Sequence, residues 1–248
     1  MVYIVTGASR GIGNAVAAAL AARNYPVLAV AISEARLQML ADRFPDVVTP
    51  VAADLSTPAG MDRVVAAIQH GSILGGIVHA AGSLIPLEPF LSLNPASLAE
   101  HFQIHVTAQI SLCQRITEKA SVARMLFLDS YSASTPRDGW AAYSIIKAAA
   151  QMAARCAAQE LTSTTIARVF PGAVNTRIVE SVLESNTATA TQFAQLVAKG
   201  EVAAPEEVAS FIVALLVDAS RDLVKSFDAW DYNNPEHRLL LESCQPKQ

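Results

Sequence analysis

Glycines at positions 7, 11 and 13 share the run TGASRGIG, set between the apolar start MVYIV and an Ala-rich stretch. A glycine-rich turn at a helix N-terminus presents free N–H groups and the positive end of the helix dipole. Glycine there also lets the backbone close on a pyrophosphate with no Cβ in the way. A plain tight turn uses the same residues, so phosphate binding and simple turning both stand at this point. Further along, Tyr143 and Lys147 are four residues apart and project from one face of an Ala-rich helix. A phenol beside an ammonium loses its proton more readily, which suits general acid or base work. The same spacing is also common on helix surfaces. Ser130 directly follows the apolar run MLFLD, at a strand end, and ligands of open parallel sheets gather at the carboxyl ends of strands. A serine that merely turns the chain is the alternative.

The elements that hold these residues are legible as short β-branched runs alternating with longer amphipathic stretches. Strands are predicted near Tyr3–Thr6, Val27–Ala31, Val48–Ala53, Gly76–Ala80, Ala123–Asp129 and Thr165–Phe170, with a last one around Ser226–Trp230. Helices are predicted over Ile12–Arg23, Glu34–Arg43, Met61–Gln69, Pro95–Lys119, Ala142–Leu161 and Pro205–Val217. Such alternation predicts an α/β doubly wound parallel sheet of about seven strands, covered by helices on both faces. Runs such as VLAVA, apolar at every position, fit strands buried on both sides. No repeat or composition break appears, so residues 1–248 read as one domain. The stretch 177–200 differs, because SNTATATQ is polar, β-branched and a poor helix former. It reads as a helical excursion with a loose middle, either a lid over a site or an ordinary surface insertion.

Composition narrows the function. The 248 residues are 52% hydrophobic and 16% charged, enough for a substantial core and unlike a disordered chain. A net charge of −4 with no basic run gives no electrostatic case for nucleic acid or an anionic membrane. The start lacks a basic n-region, and Ala15–Ala22 falls far short of a bilayer span, so neither a secretory signal nor a membrane anchor is expected. Cys113, Cys156 and Cys244 are scattered and odd in number. Reduced thiols in the cytoplasm are expected, with no disulfide framework and no metal site.

Several motifs then fall in one order. TGASRGIG (Gly7, Ser9, Arg10, Gly11, Ile12, Gly13) is followed by Asp54-Leu55, then His79-Ala80-Ala81-Gly82, then Ser130, Tyr143 and Lys147, then Pro171-Gly172-Ala173-Val174-Asn175-Thr176. This series resembles the short-chain dehydrogenase/reductase family from Val2 to about Thr176, and more loosely to the end. The resemblance implies that the glycine loop, Asp54, Leu55, Ala81, Gly82, Tyr143, Lys147, Pro171, Gly172, Val174 and Thr176 bind a nicotinamide dinucleotide. It implies that Ser130 and Tyr143 bind and polarise a small carbonyl substrate, and that homodimers or homotetramers form through the two long central helices. GWAAYSIIKAA and DAWDYNN look most like the sepiapterin reductase and benzil reductase branch, whose members reduce dicarbonyls with NADPH. Trp140 either walls the substrate pocket or packs. Ser132 and Ser134 fit the serine spacing less well and read as loop or substrate contacts.

This chain departs from the family pattern at three points. His79 and Ala80 replace two asparagines beside the cofactor. His105 stands where the family often has an asparagine, and its imidazole either holds a water beside Lys147 or simply packs. The end of the second strand, Ala31-Ile32-Ser33, lacks the acid that grips a ribose 2′-hydroxyl. Arg10 can pair with a 2′-phosphate instead, or lie solvated on the surface. NADP(H) is therefore expected over NAD(H). The resulting reading is an NADPH-dependent reductase of small carbonyl or dicarbonyl compounds. Its rival is a dinucleotide-binding relative with little or no turnover.

Overall fold

The computed structural model of the chain describes residues 1–82, 86–185 and 188–245, with no description of the Ala188 side chain. Its strands are β1 (Val2–Thr6), β2 (Val27–Ala31), β3 (Val48–Ala52), β4 (Ile73–His79), β5 (Ser121–Val122), β6 (Arg124–Leu128), β7 (Thr165–Phe170) and β8 (Trp230–Asp231). The helices are α1 (Gly11–Ala22), α2 (Glu34–Arg43), α3 (Pro58–Ala66), α4 (Pro95–Phe102), α5 (Ala108–Lys119) and α6 (Ala141–Glu160). They continue with α7 (Arg177–Leu183), α8 (Ala188–Ala198), α9 (Pro205–Val213), α10 (Arg221–Lys225) and α11 (Pro235–Cys244).

All strand pairs are parallel, and the order across the sheet is β3-β2-β1-β4-β6-β7-β8, with β5 paired to β4. Strand order reverses between β1 and β4, the switch point where open α/β sheets bind ligands. Pro50 is tolerated in β3 because that strand lies at the sheet edge. Strand residues alternate between the two faces. Tyr3, Val5, Val27 and Ala29 join the core beneath α1, α2 and α9, while Ile4, Leu28 and Val30 join the core beneath α3 and α5. Burial on both faces explains why these strands read as continuous apolar runs.

The predicted helix over 95–119 is one run, interrupted by a π-helical turn at Gln103–Thr107. Such turns insert one residue into the helical ladder and concentrate at functional sites. A second π turn, Ala214–Asp218, follows α9.

The strand total and the later elements depart from expectation. The predicted strand over 123–129 is β6, but a further two-residue strand, β5, precedes it and raises the sheet from the expected seven strands to eight. The last strand is not Ser226–Trp230 but Trp230–Asp231, because the Ser220 hydroxyl caps α10 and a turn fills the space before Trp230. Helices α10 and α11 went unforeseen. Within 177–200, Asn186 and Thr187 lie outside the described residues, but α8 already begins at Ala188. Packing overrides propensity there, since Phe193 of α8 stacks on Trp140 at 6.0 Å between centroids.

Candidate active site

At the end of β1 the chain turns through Gly7, whose φ is +69°. A Cβ there would fall 2.6 Å from the Ala80 carbonyl oxygen, so the loop after β4 needs glycine at this point. A Cβ on Gly13 would fall 2.4 Å from the Gly7 carbonyl oxygen, which makes the turn tight against its own helix. The glycines therefore serve a tight turn packed against the loop after β4. A close turn leaves the first N–H groups of α1 without a capping side chain and without an acid in the first turn. Arg10, at the N-cap, is exposed and forms no ion pair among the described residues. Free amides, the helix dipole and a cation suit a pyrophosphate and a ribose phosphate.

Two side chains that sequence reading missed hold this region. The buried Thr6 hydroxyl accepts from Ala80 N at 3.1 Å and Ala81 N at 3.0 Å, clamping β1 to the loop after β4. Asn14 Nδ2 donates to the Ala8 carbonyl at 3.0 Å. The signal for Thr6 was its place, a hydroxyl directly before the first glycine at a buried strand end.

Other residues of the expected dinucleotide set lie in the Pro171–Thr176 segment and just after β3. The Pro171–Thr176 segment brings Thr176 Cγ2 to 3.2 Å from where a Gly11 Cβ would lie. Val174 is buried and bridges to Ala203, while Gly172, at φ +74°, lacks the Cβ that would fall 2.7 Å from the Asn233 amide. Asp54 Oδ1 accepts from Ser56 N and Oγ, and Leu55 is buried in the core. Past β2, Ile32 is 71% exposed and its chain neighbours, Ala31 and Ser33, are not acids.

Ser130 caps the single turn Tyr131–Ala133, and its Oγ accepts from Ser132 N at 3.3 Å. That turn packs against α6, which carries Tyr143 and Lys147. Lys147 Nζ donates to the Leu128 carbonyl at 3.3 Å and lies 5.9 Å from the Tyr143 ring centroid. Leu128 is two residues before Ser130, so the lysine is anchored to the strand that ends in the serine. Trp140 is 4% exposed, meets Tyr143 edge-on at 5.1 Å and stacks on Phe193. Trp140 therefore both packs and joins an aromatic wall beside Tyr143. Ser132 is buried, while Ser134 N donates to the Tyr131 carbonyl, so both belong to the turn.

The two histidines are in different settings. His79 is buried, stacks on Phe127 at 4.4 Å, and has Nε2 3.5 Å from Cys113 Sγ. Burial pushes its imidazole down to about 3 and the Cys113 thiol up to about 12. Neutral His79 is thus a core side chain, with the adjoining backbone held by Thr6. His105 is buried in the π turn and faces Gly82, where a Cβ would fall 2.5 Å from its Cε1. Its neighbour Val106 packs with Ala142, Ile146 and Tyr143, placing the π turn against the start of α6.

Beyond Ser130, Tyr131 stacks on Phe170 at 4.9 Å and donates its hydroxyl to Asp231. Burial and the Asp231 hydrogen bond push this phenol up to about 12, leaving it protonated. Among the described residues no cluster of histidines, cysteines and acids is arranged to hold a metal. No helix among them is long and apolar enough to cross a membrane.

A family model described as short chain dehydrogenase matches residues 1–187. The chain is similar to the 3-oxoacyl-(acyl-carrier-protein) reductase of Vibrio cholerae, 28% identical over 223 residues, or 86% of this chain and 88% of that one. It is similar to a Bacillus cereus benzil reductase, (S)-benzoin forming, 24% identical over 230 residues, or 86% and 92% of the two chains. The fold matches that of a short chain dehydrogenase/reductase from Saccharomyces cerevisiae, with TM-score 0.87 over 99% of both chains at 23% identity.

Proposed function

The chain belongs to the short chain dehydrogenase family and is an NAD(P)-dependent oxidoreductase, and we propose that it uses NADPH to reduce a small aromatic or dicarbonyl substrate to the alcohol. One observation carries the reading. Lys147 Nζ, anchored on the Leu128 carbonyl, lies near the Tyr143 ring on the helix that packs against the Ser130 turn.

When bound, the reduced nicotinamide supplies the hydride that the carbonyl carbon accepts. The Ser130 hydroxyl donates to the carbonyl oxygen, and the Tyr143 phenol delivers the proton that converts the developing alkoxide to the alcohol. Lys147 stabilises the phenolate left behind. His105 holds the water through which solvent returns a proton to Tyr143.

The backbone N–H groups at the start of α1 and the side chain of Arg10 hold the dinucleotide phosphates, with Ser9, Asp54, Leu55, Ala81, Gly82, Pro171, Gly172, Val174 and Thr176 completing its site. Preference for NADPH over NADH follows from exposed Arg10 and the absence of an acid beside Ile32. Trp140 and Phe193 form the aromatic side of the substrate site, and 177–200 acts as its lid. The likeness to benzil reductase supports the same substrate class.

Residues 1–248 act as one catalytic domain in the cytoplasm, where the three free cysteines stay reduced. Homodimers or homotetramers form through α5 and α6, which leave Ile110, Ile145 and Met152 exposed. The alternative, a dinucleotide-binding relative with little turnover, rests on the changes at His79, Ala80 and His105. The presence of Ser130, Tyr143 and Lys147 together supports the enzyme.

A panel of aryl ketones, vicinal diketones and aliphatic carbonyls, assayed for NADPH oxidation, tests the reading. Turnover of benzil and related diketones is the expected result. Tight NADPH binding with no oxidation on any member would support the alternative instead.

A further inference from the structure

Two opposite charges lie in strand segments that are otherwise apolar. Asp129 directly follows β6 in the run MLFLD, and Arg168 lies within β7 in TIARVF. Each is 6% exposed. Arg168 Nη1 donates to Asp129 Oδ2 at 2.6 Å, and its Nη2 donates to the largely exposed Asp228 at 2.5 Å. Asp129 Oδ2 also accepts from Gln151 Nε2 at 3.0 Å, and Oδ1 accepts from the Ser130 backbone N–H at 2.7 Å. One buried carboxylate therefore touches three elements: the strand end that carries Ser130, helix α6 through Gln151, and β7 through Arg168.

The placement is specific. Leu128, on the other side of Asp129, supplies the carbonyl that receives Lys147 Nζ. Gln151 is one helical turn beyond Lys147 and two beyond Tyr143, on the same face of α6. We propose that Asp129, fixed by Arg168, is a positioning residue that sets Ser130 at its working distance from Tyr143 and Lys147. This rests on the reductase reading above. A buried ion pair contributes little net stability, and an apolar pair of similar volume often serves the fold as well. What an apolar pair lacks is a directed acceptor for the Ser130 amide and the Gln151 amide. The carboxylate supplies both.

The test combines kinetics, cofactor affinity and amide exchange on the full-length protein. The double variant Asp129→Leu/Arg168→Met removes both charges together and should keep its Tm near that of wild type. Its kcat should fall about 10²-fold, as expected of a misplaced catalytic group, while the Kd for NADPH stays within about twofold. Exchange at the Ser130 amide should quicken by about tenfold or more, with the centre of the sheet still protected. Gln151→Leu, which leaves the ion pair intact, should lower kcat less, and Arg168→Lys should retain more activity than Arg168→Met. Wild-type kcat and wild-type exchange in the double variant would overturn the proposal. So would equal losses in kcat, cofactor affinity and Tm. If wild-type protein oxidises no NADPH with any carbonyl, the reductase reading fails, and exchange at Ser130 decides the positioning role alone.

Discussion

Tyr143, Lys147 and Ser130 owe their shared location to a few short contacts. The lysine is held by a strand carbonyl, the tyrosine is packed by Trp140, and the serine begins a turn against the same helix. These residues were legible because the helical spacing of four and the strand end are local properties of the chain. Asp129 and Arg168 were not, since their contact joins residues 39 apart in sequence and depends on the register of β6 with β7. The signal available was an opposite charge in each of two apolar runs. Arg10 carries the first residue-level prediction. Arg10→Ala should weaken NADPH binding tenfold or more, roughly the loss of one charge-assisted hydrogen bond, and leave NADH within about twofold. Cofactor titrations check this, and equal losses would remove the 2′-phosphate role. His79 carries the second. An unfolded imidazole titrates at about 6.5, whereas buried His79 titrates at about 3. Between those values the unfolded chain binds a proton that the folded chain refuses. The fold is therefore most secure on this account above pH 6.5 and loses up to about 1.4 kcal/mol per pH unit as pH falls toward 3. His79→Leu should flatten that slope between pH 7.5 and 5, as measured by denaturant unfolding. An unchanged slope would place the acid sensitivity elsewhere.

At the scale of elements, helix limits followed the sequence closely wherever an apolar stripe ran for several turns, as in α2 and α6. Strand β8 did not, because a two-residue strand carries no periodicity and its position is set by pairing with β7. The helical excursion over 177–200 is present as α7 and α8, but α8 starts inside the stretch expected to be loose. Its threonines lower helix propensity, yet Phe193 docks on Trp140, a contact invisible to local pattern. That contact makes the proposed lid testable. Phe193→Ala should raise KM for benzil about tenfold, the scale of a lost apolar contact, and leave KM for a small aliphatic diketone within about twofold. Equal changes for both substrates would make α8 a surface insertion without a role in specificity. The π turn at Gln103–Thr107 was also beyond sequence reading. It takes one extra residue into a helix whose apolar pattern continues on both sides, and it sets His105 against Gly82.

Across the whole molecule, the parallel sheet gathers the glycine loop, the Ser130 turn and the Pro171–Thr176 segment at the carboxyl ends of its strands. Alternating β-branched and amphipathic runs called for a parallel sheet covered by helices, so the fold class was legible before any contact was known. The proposed chemistry is narrower than the fold and turns on the Tyr143 hydroxyl. Steady-state oxidation of NADPH by benzil, compared between wild type and Tyr143→Phe at matched cofactor saturation, is the most direct measurement. Phenylalanine keeps the ring that packs against Trp140 and removes only the acid. The account predicts an unchanged NADPH Kd with kcat lower by about 10²- to 10⁴-fold, the range for losing a general acid. Near-normal turnover by Tyr143→Phe would contradict it.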